Sequence, residues 1–331
     1  MIYRKLGNSE LSISAITFGA WAAGGWMWGG TEQNDSINAI KAAYDLGVTS
    51  IDTAPAYGQG KSEEVVGEAI KALPRDKVQI LTKYGLRWDT DKGQFYFESK
   101  NDQGKTIHLH KYATKESIIK ECEDSLRRLG TDYIDLYQIH WPDPTTPIQE
   151  TMGAISNLIE QGKVRYAGVC NYNTTLMKEA EKYINLVSDQ VPYCMVRRDI
   201  EKELVPHVLE NKKSILAYSP LQRGLLTGKM NPSYKFEGDD HRKGLFYFSD
   251  ENIRRTNDFL NKIKPIADEK NATLAQLVIR WTIDQPGITI ALVGARNPNQ
   301  AEENAKAAEI TLSKEEMNFI NMGLNKLELV K

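Results

Sequence analysis

Cysteine is scarce in this chain of 331 residues. There are three, Cys122, Cys170 and Cys194, an odd number with no Cys-x-x-Cys pair among them. That spacing argues against a disulfide scaffold and points to a reducing, cytoplasmic setting. An excess of either charge is also lacking. Lysine and arginine total 42 against 44 aspartate and glutamate, a formal charge of −2. No electrostatic footprint for nucleic acid or an anionic membrane follows from such a balance. Nor does any apolar run approach the ~18 residues that a membrane span requires. The most apolar stretch, Ala15 to Gly30, is broken by Thr17 and five glycines. No apolar segment follows the basic pair Arg4-Lys5, so no secretory signal is visible. Hydrophobic residues at 41% and charged residues at 26% argue against disorder. What remains is a large soluble protein of about two domains by length, or one α/β barrel, which routinely exceeds that prior.

Two phosphate-binding signatures are absent as well. No Gly-x-Gly-x-x-Gly follows an apolar run, so a Rossmann site is not supported. Gly60-Lys61-Ser62 suggests a P-loop, but position 55, where the opening glycine belongs, is Pro55. Lys61 and Ser62 read as a solvated helix start. His108 and His110 have no third ligand near them in sequence and read as surface histidines, so no metal site is expected.

Short β-branched runs alternate with stretches of helical spacing. The runs begin at Ala15, Val48, Val78, Tyr133, Val164, Val187, Ser214 and Thr289. Helix starts stand between them: Thr114 as a cap, Thr146-Pro147-Ile148-Gln149 as a capping box, and Ser62 before Glu63 and Glu64. Eight strands alternating with helices predict an α/β fold, a (β/α)8 TIM barrel forming a single domain over 1–331. Tyr-Arg-Lys and Leu11-Ser-Ile around Gly7-Asn8-Ser9 predict an N-terminal β-hairpin. Two connections, Trp88 to Tyr112 and Leu221 to Ile288, are long. Both follow a strand and therefore lie at the carboxyl face, where barrel sites are built.

Four polar residues fall at or just after successive strand ends: Asp52, Tyr57, Lys83 and His140. Burying an aspartate or a lysine alone costs several kcal/mol, so each needs a partner. Together at one barrel mouth they suggest proton transfer by a phenol. A free tyrosine has a pKa of about 10. A neighbouring Lys83 ammonium is expected to lower it, with Asp52 holding Lys83 in place and His140 orienting a carbonyl.

These four residues resemble the catalytic tetrad of the aldo-keto reductase superfamily. The resemblance runs from Phe18-Gly19-Ala20-Trp21 to Gln300-Ala301-Glu302-Glu303-Asn304. It includes Gly-Val-Cys-Asn at 168–171, Gln190, Ala-Tyr-Ser-Pro-Leu at 217–221 and Arg-Gly-Leu-Leu-Thr-Gly-Lys at 223–229. Within the superfamily the chain looks most like the bacterial general-stress and inositol-related branch, which is similar to potassium-channel β subunits.

The resemblance implies an extended NADPH across the barrel mouth. Asn171 and Gln190 would hold the nicotinamide carboxamide, with Tyr218 stacked on the ring. Ser219, Leu221, Gly224 and Lys229 would wrap the pyrophosphate, with Arg223 and Arg242 as further contacts. Gln300, Glu303 and Asn304 would meet the adenosine, and Gly19, Ala20, Trp21, Asp52, Cys170 and Gly294 complete the cofactor set. The sequence supports one part independently. Asn297 is a good N-cap and Pro298 suits the first helical position, so a helix N-terminus beside Arg296 makes an anion site that fits a 2′-phosphate. Trp21, Tyr57, Trp88, His140 and Trp141 are the expected substrate contacts. Two positions depart from the family pattern: Cys170 replaces a more usual serine, and Cys194 a more usual asparagine.

The function expected is reduction of small-molecule aldehydes or ketones to alcohols, with Tyr57 as general acid. The competing expectation is an NADP(H)-sensing binding module resembling the channel β subunits. Those relatives typically carry asparagine where this chain has His140, which favours the enzyme.

Overall fold

The computed structural model describes residues 1–27, 32–236, 240 and 242–331. Eight parallel strands close into a barrel in sequence order. They are β1 (Ile16–Gly19), β2 (Ser50–Asp52), β3 (Gln79–Tyr84), β4 (Ile134–Ile139), β5 (Val164–Cys170), β6 (Leu186–Pro192), β7 (Ser214–Tyr218) and β8 (Ile288–Gly294). Each coincides with one of the eight runs read from the sequence. Helices α1 (Gln33–Asp45), α2 (Lys61–Ile70), α3 (Lys115–Leu129), α4 (Ile148–Glu160), α5 (Thr174–Ala180) and α6 (Leu204–Glu210) follow the first six strands in turn. The long connection after β7 holds α7 (Asp250–Glu269) and α8 (Leu274–Ile283), and α9 (Pro298–Ala305) and α10 (Lys314–Asn325) follow β8.

The apolar residues are sorted by this geometry. Leu81, Leu136, Leu216 and Ile290 fill the barrel interior, and Leu6, Leu11 and Ile13 of the N-terminal hairpin (Tyr3–Lys5 with Ser12–Ser14) join them from below. The hairpin thus plugs the amino end, leaving the carboxyl end for the site. Two larger apolar clusters lie between the strands and the surrounding helices.

Several helix starts differ from the sequence reading. Thr114 does cap α3, accepting from the Ser117 amide. Thr146 does not cap α4, because its hydroxyl donates to Asp143 at 2.7 Å and Pro147 takes the cap position. Ser62 is not solvated. It is fully buried, and its hydroxyl donates to the Ala20 carbonyl at 2.7 Å. Lys61 does reach out, to Gln33. The last helix ends at Asn325. Within the stretch Ala15 to Gly30, Gly24 ends a short 3-10 turn that Gly25 and Trp26 follow, and Trp28, Gly29 and Gly30 lie outside the described residues.

Candidate active site

Residues in, or within two positions of, each of the eight strands line one cleft of about 800 Å3 at the carboxyl face, within the range of small-molecule sites. Asp52 ends β2, Lys83 lies in β3, and His140 follows β4. Lys83 Nζ donates to Asp52 Oδ1 at 2.7 Å and to the Thr53 carbonyl at 2.9 Å, and both charged side chains are almost fully buried. The second carboxylate oxygen of Asp52 accepts from Gln190 Nε2 at 2.7 Å. A buried ion pair survives only when such extra hydrogen bonds satisfy its remaining atoms.

Tyr57 sits over this pair on the loop after β2. Lys83 Nζ is 4.9 Å from the centre of its ring, and His140 meets the ring edge-on at 5.5 Å between centroids. The loop is fixed by a close backbone approach. A side chain at Gly58 (φ 65°) would meet the Gly24 carbonyl at 2.5 Å, and one at Gly24 would meet the Tyr57 carbonyl at 2.8 Å. Ser62 ties the same loop to β1 through Ala20, and the Ala20 amide donates to the Asp52 carbonyl. His140 is held by its backbone: its amide donates to Tyr84, and its carbonyl accepts from Asn171 Nδ2 at 3.1 Å.

Electrostatics here differ from the expectation for Tyr57. Burial is the largest influence and outweighs the Lys83 charge, so the phenol is pushed up to about 12 rather than lowered. Burial acts on the Lys83 ammonium in the opposite sense, but Asp52, Tyr57 and Cys170 together more than reverse it and raise its pKa. Burial, with Lys83 nearby, holds the His140 imidazole well below its ordinary value. At neutral pH the site therefore presents a protonated phenol, an ammonium and a neutral imidazole.

Beyond this centre the cleft runs toward α9. Asn171 (φ 60°) accepts from the Tyr218 hydroxyl at 3.0 Å. The backbone turns left-handed at Ser219, Arg223 and Gly224 (φ 56°, 54° and 96°), carrying Leu221 and Arg223 along the wall. Arg242 donates to the Arg223 carbonyl and pairs with Asp240. Lys229 and Gly294 line the same stretch. At the far end Asn297 caps α9 and Pro298 takes the first position, as read from the sequence. Arg296, Gln300, Glu303 and Asn304 line the cleft there, Asn304 bonding to the Gly294 carbonyl and Gln300 to the Arg296 amide.

Four expected contacts do not line the cleft. Lys83 lies beneath Tyr57, Ala20 is buried behind Trp21, and Cys170 is buried beside Lys83 and Asp52. Trp88 packs on an apolar cluster around Leu86 and Leu109 and does not reach the cavity. Cys194 is buried, its thiol 3.6 Å from Gln222 Oε1 under the turn that carries Arg223. The connection read as a loop from Trp88 to Tyr112 is instead mostly sheet: Leu86–Arg87, Gln94–Lys100 and Thr106–Lys111 pair antiparallel. Its Tyr96 and Phe97 line the cleft, in keeping with the expected place of this connection at the carboxyl face; Trp26 and Met27, which also line it, were not assigned to the site from the sequence. His110, on the central strand of that sheet, is buried against Phe95 rather than exposed.

A model of the Aldo/keto reductase family matches residues 15–322. The chain belongs to that family. Membership makes it an oxidoreductase of carbonyl groups that works with a nicotinamide cofactor. The aldo-keto reductase YhdN of Bacillus subtilis (strain 168) is 42% identical over 323 residues, covering 97% of this chain and 93% of the relative. An NADH-specific methylglyoxal reductase of Escherichia coli (strain K12) is 36% identical over 313 residues, covering 93% and 94%. A solved aldo-keto reductase from Klebsiella pneumoniae in complex with NADPH superposes with a TM-score of 0.73 at 29% identity, each chain covered completely. No helix among the described residues is long and apolar enough to cross a membrane.

Proposed function

We propose that this chain is an NADPH-dependent carbonyl reductase that converts aldehydes or ketones to alcohols with Tyr57 as general acid. We further propose that it sits in the bacterial general-stress and inositol-related branch. The observation that carries the mechanism is the Asp52–Lys83–Tyr57 stack meeting His140 at the floor of the cleft.

The residues fit an extended dinucleotide. Asn171 and Gln190 make fewer hydrogen bonds among the described residues than an amide can, which leaves capacity for a carboxamide. Tyr218 would stack on the nicotinamide, and the left-handed turn from Ser219 to Gly224, with Lys229 and Arg242, would wrap the pyrophosphate. Gln300, Glu303 and Asn304 would meet the adenosine. The capped N-terminus of α9 beside Arg296 suits a 2′-phosphate, which favours NADPH, although the Escherichia coli relative is NADH-specific by name.

When bound, the nicotinamide supplies the hydride. The chain supplies the rest. Neutral His140 donates a hydrogen bond to the carbonyl oxygen and orients it. As negative charge grows on that oxygen, Tyr57 gives up its phenolic proton to it. The high pKa keeps that proton in place until the charge develops. The Lys83 ammonium, held by Asp52, then stabilises the phenolate left behind.

The test is stopped-flow absorbance of NADPH and NADH with a panel of aldehydes, repeated in Tyr57→Phe. Oxidation of NADPH by wild type and a loss of 10²–10⁴-fold in the variant, with NADPH still bound, are expected. Tight NADPH binding without turnover would favour the sensing module. Full activity in the variant would remove Tyr57 from the mechanism.

A further inference from the structure

The sheet formed by Leu86–Arg87, Gln94–Lys100 and Thr106–Lys111 supplies one wall of the cleft through Tyr96 and Phe97. Its inner end is anchored firmly. Arg87 donates to Ser117 and pairs with Asp89, and the Gly85 amide donates to Glu121. The long hairpin beyond is held differently. Among the described residues, the only hydrogen bonds reaching residues 94–105 from outside the sheet come from one atom, Trp26 Nε1. It donates to Ser99 Oγ and to the Lys100 carbonyl, each at 3.1 Å. The indole also stacks on Phe97, with centroids 6.2 Å apart and planes 13° apart. Trp26 is 5% exposed and belongs to the segment after β1, whereas the hairpin follows β3. Trp26 therefore ties together two connections that leave different barrel strands.

From this geometry we infer that Trp26 is a specificity-determining residue, latching the hairpin so that Phe97 and Tyr96 form a fixed wall for bulky, uncharged aromatic carbonyl substrates. The inference rests on the carbonyl-reductase reading of the same site. Tyr57, His140 and Trp21 surround the reacting carbonyl, with Trp21 and Tyr57 stacked at 5.9 Å. A small aldehyde needs only that floor. A two-ring aldehyde also leans on the hairpin wall, and loses that contact when the wall swings. Phenylalanine at position 26 retains a ring for Phe97 and removes only the donor. Ser99→Ala removes one of the two acceptors and keeps the indole and the backbone acceptor.

The experiment compares wild type, Trp26→Phe and Ser99→Ala with 2-naphthaldehyde and methylglyoxal, and adds NADPH affinity by calorimetry and amide hydrogen exchange over residues 94–105. In Trp26→Phe the ratio of kcat/KM for 2-naphthaldehyde over methylglyoxal should fall about fivefold, as expected for loss of one net hydrogen bond. The loss should lie mainly in KM, with faster exchange in 94–105. Ser99→Ala should shift the ratio in the same direction by a smaller factor. An unchanged ratio, or a fall matched by an equal loss of NADPH affinity, overturns the latch. If wild type oxidises neither cofactor with either aldehyde, the reductase reading fails instead. Unchanged exchange in Trp26→Phe then overturns the latch on its own.

Discussion

Gln190 and Lys83 grip Asp52 from two sides, each 2.7 Å from a different carboxylate oxygen. Gln190 stands on β6 and Asp52 on β2, so the amide spans the barrel mouth to satisfy a carboxylate buried with its lysine. Buried charge pairs are strongly destabilised when a partner is removed. Gln190→Leu should leave Oδ2 unsatisfied and cost about 1–3 kcal/mol of unfolding free energy. It should also lower kcat/KM, because Lys83 is positioned through Asp52. Denaturant unfolding alongside steady-state kinetics checks both. Unchanged stability would mean that the Gln190 contact contributes nothing to holding the ion pair.

Two groups give the protein opposing pH dependences. His140 is held well below its ordinary value by burial and by Lys83. The unfolded chain therefore takes up a proton near pH 6.5 while the folded chain does not, and stability falls as pH drops below that value. Glu121 behaves in the opposite sense. It is 4% exposed, and burial, only partly offset by Arg87, the Gly85 amide and Ser117, pushes its carboxyl up to about 7. Its stabilising contribution is complete below pH ~4.5 and is lost as pH rises through 7. His140→Asn should flatten the acid side of a stability profile between pH 7 and 5. Glu121→Gln should become more stable relative to wild type as pH rises from 5 to 8. Urea midpoints at five pH values would show it, and parallel profiles for all three proteins would refute both assignments.

The barrel was legible because its strands are short apolar runs at regular spacing, and helices of recognisable start separate them. The clustering of Asp52, Tyr57, Lys83 and His140 was legible for a related reason: Asp52, Lys83 and His140 are polar residues at the ends of strands that are otherwise apolar, where burial demands a partner. What escaped the sequence depends on non-local packing. Thr146 looked like a cap, but Asp143 competes for its hydroxyl. Ser62 looked exposed, but α2 begins against the barrel and the Ala20 carbonyl accepts a hydrogen bond from its hydroxyl. The sign of the Tyr57 shift turns on how deeply the phenol is withdrawn from water, which no spacing reveals. The second wall of the cleft was legible only as a long connection at the carboxyl face; its contacts were not, because Gln94–Lys100 alternates Phe95, Phe97 and Ser99 with Tyr96, Glu98 and Lys100, a pattern that does not say which face meets Trp26.

Packing inside the barrel offers a separate test. Gly168 on β5 faces the interior, with Gln138 of β4 on one side in register and Ser188 of β6 on the other. A β-carbon at 168 would meet Ser188 Oγ at 2.7 Å, Gln138 Cγ at 3.1 Å and Leu136 Cδ1 at 3.2 Å. Ser188, Gln138 and Leu136 are all fully buried, so none can move outward to make room. Gly168→Ala should cost about 1–3 kcal/mol, the usual penalty for overpacking. The nearest obstacle is a hydroxyl that alanine lacks. In a Ser188→Ala background the same substitution should therefore cost less, with a coupling of at least ~0.5 kcal/mol. Gln138 also stands in register with Lys83 on β3. Displacing it should move the ammonium beneath Tyr57 and lower kcat in Gly168→Ala, with recovery in the double variant. Equal cost in both backgrounds would show that Ser188 does not set the limit, and that the strands themselves yield.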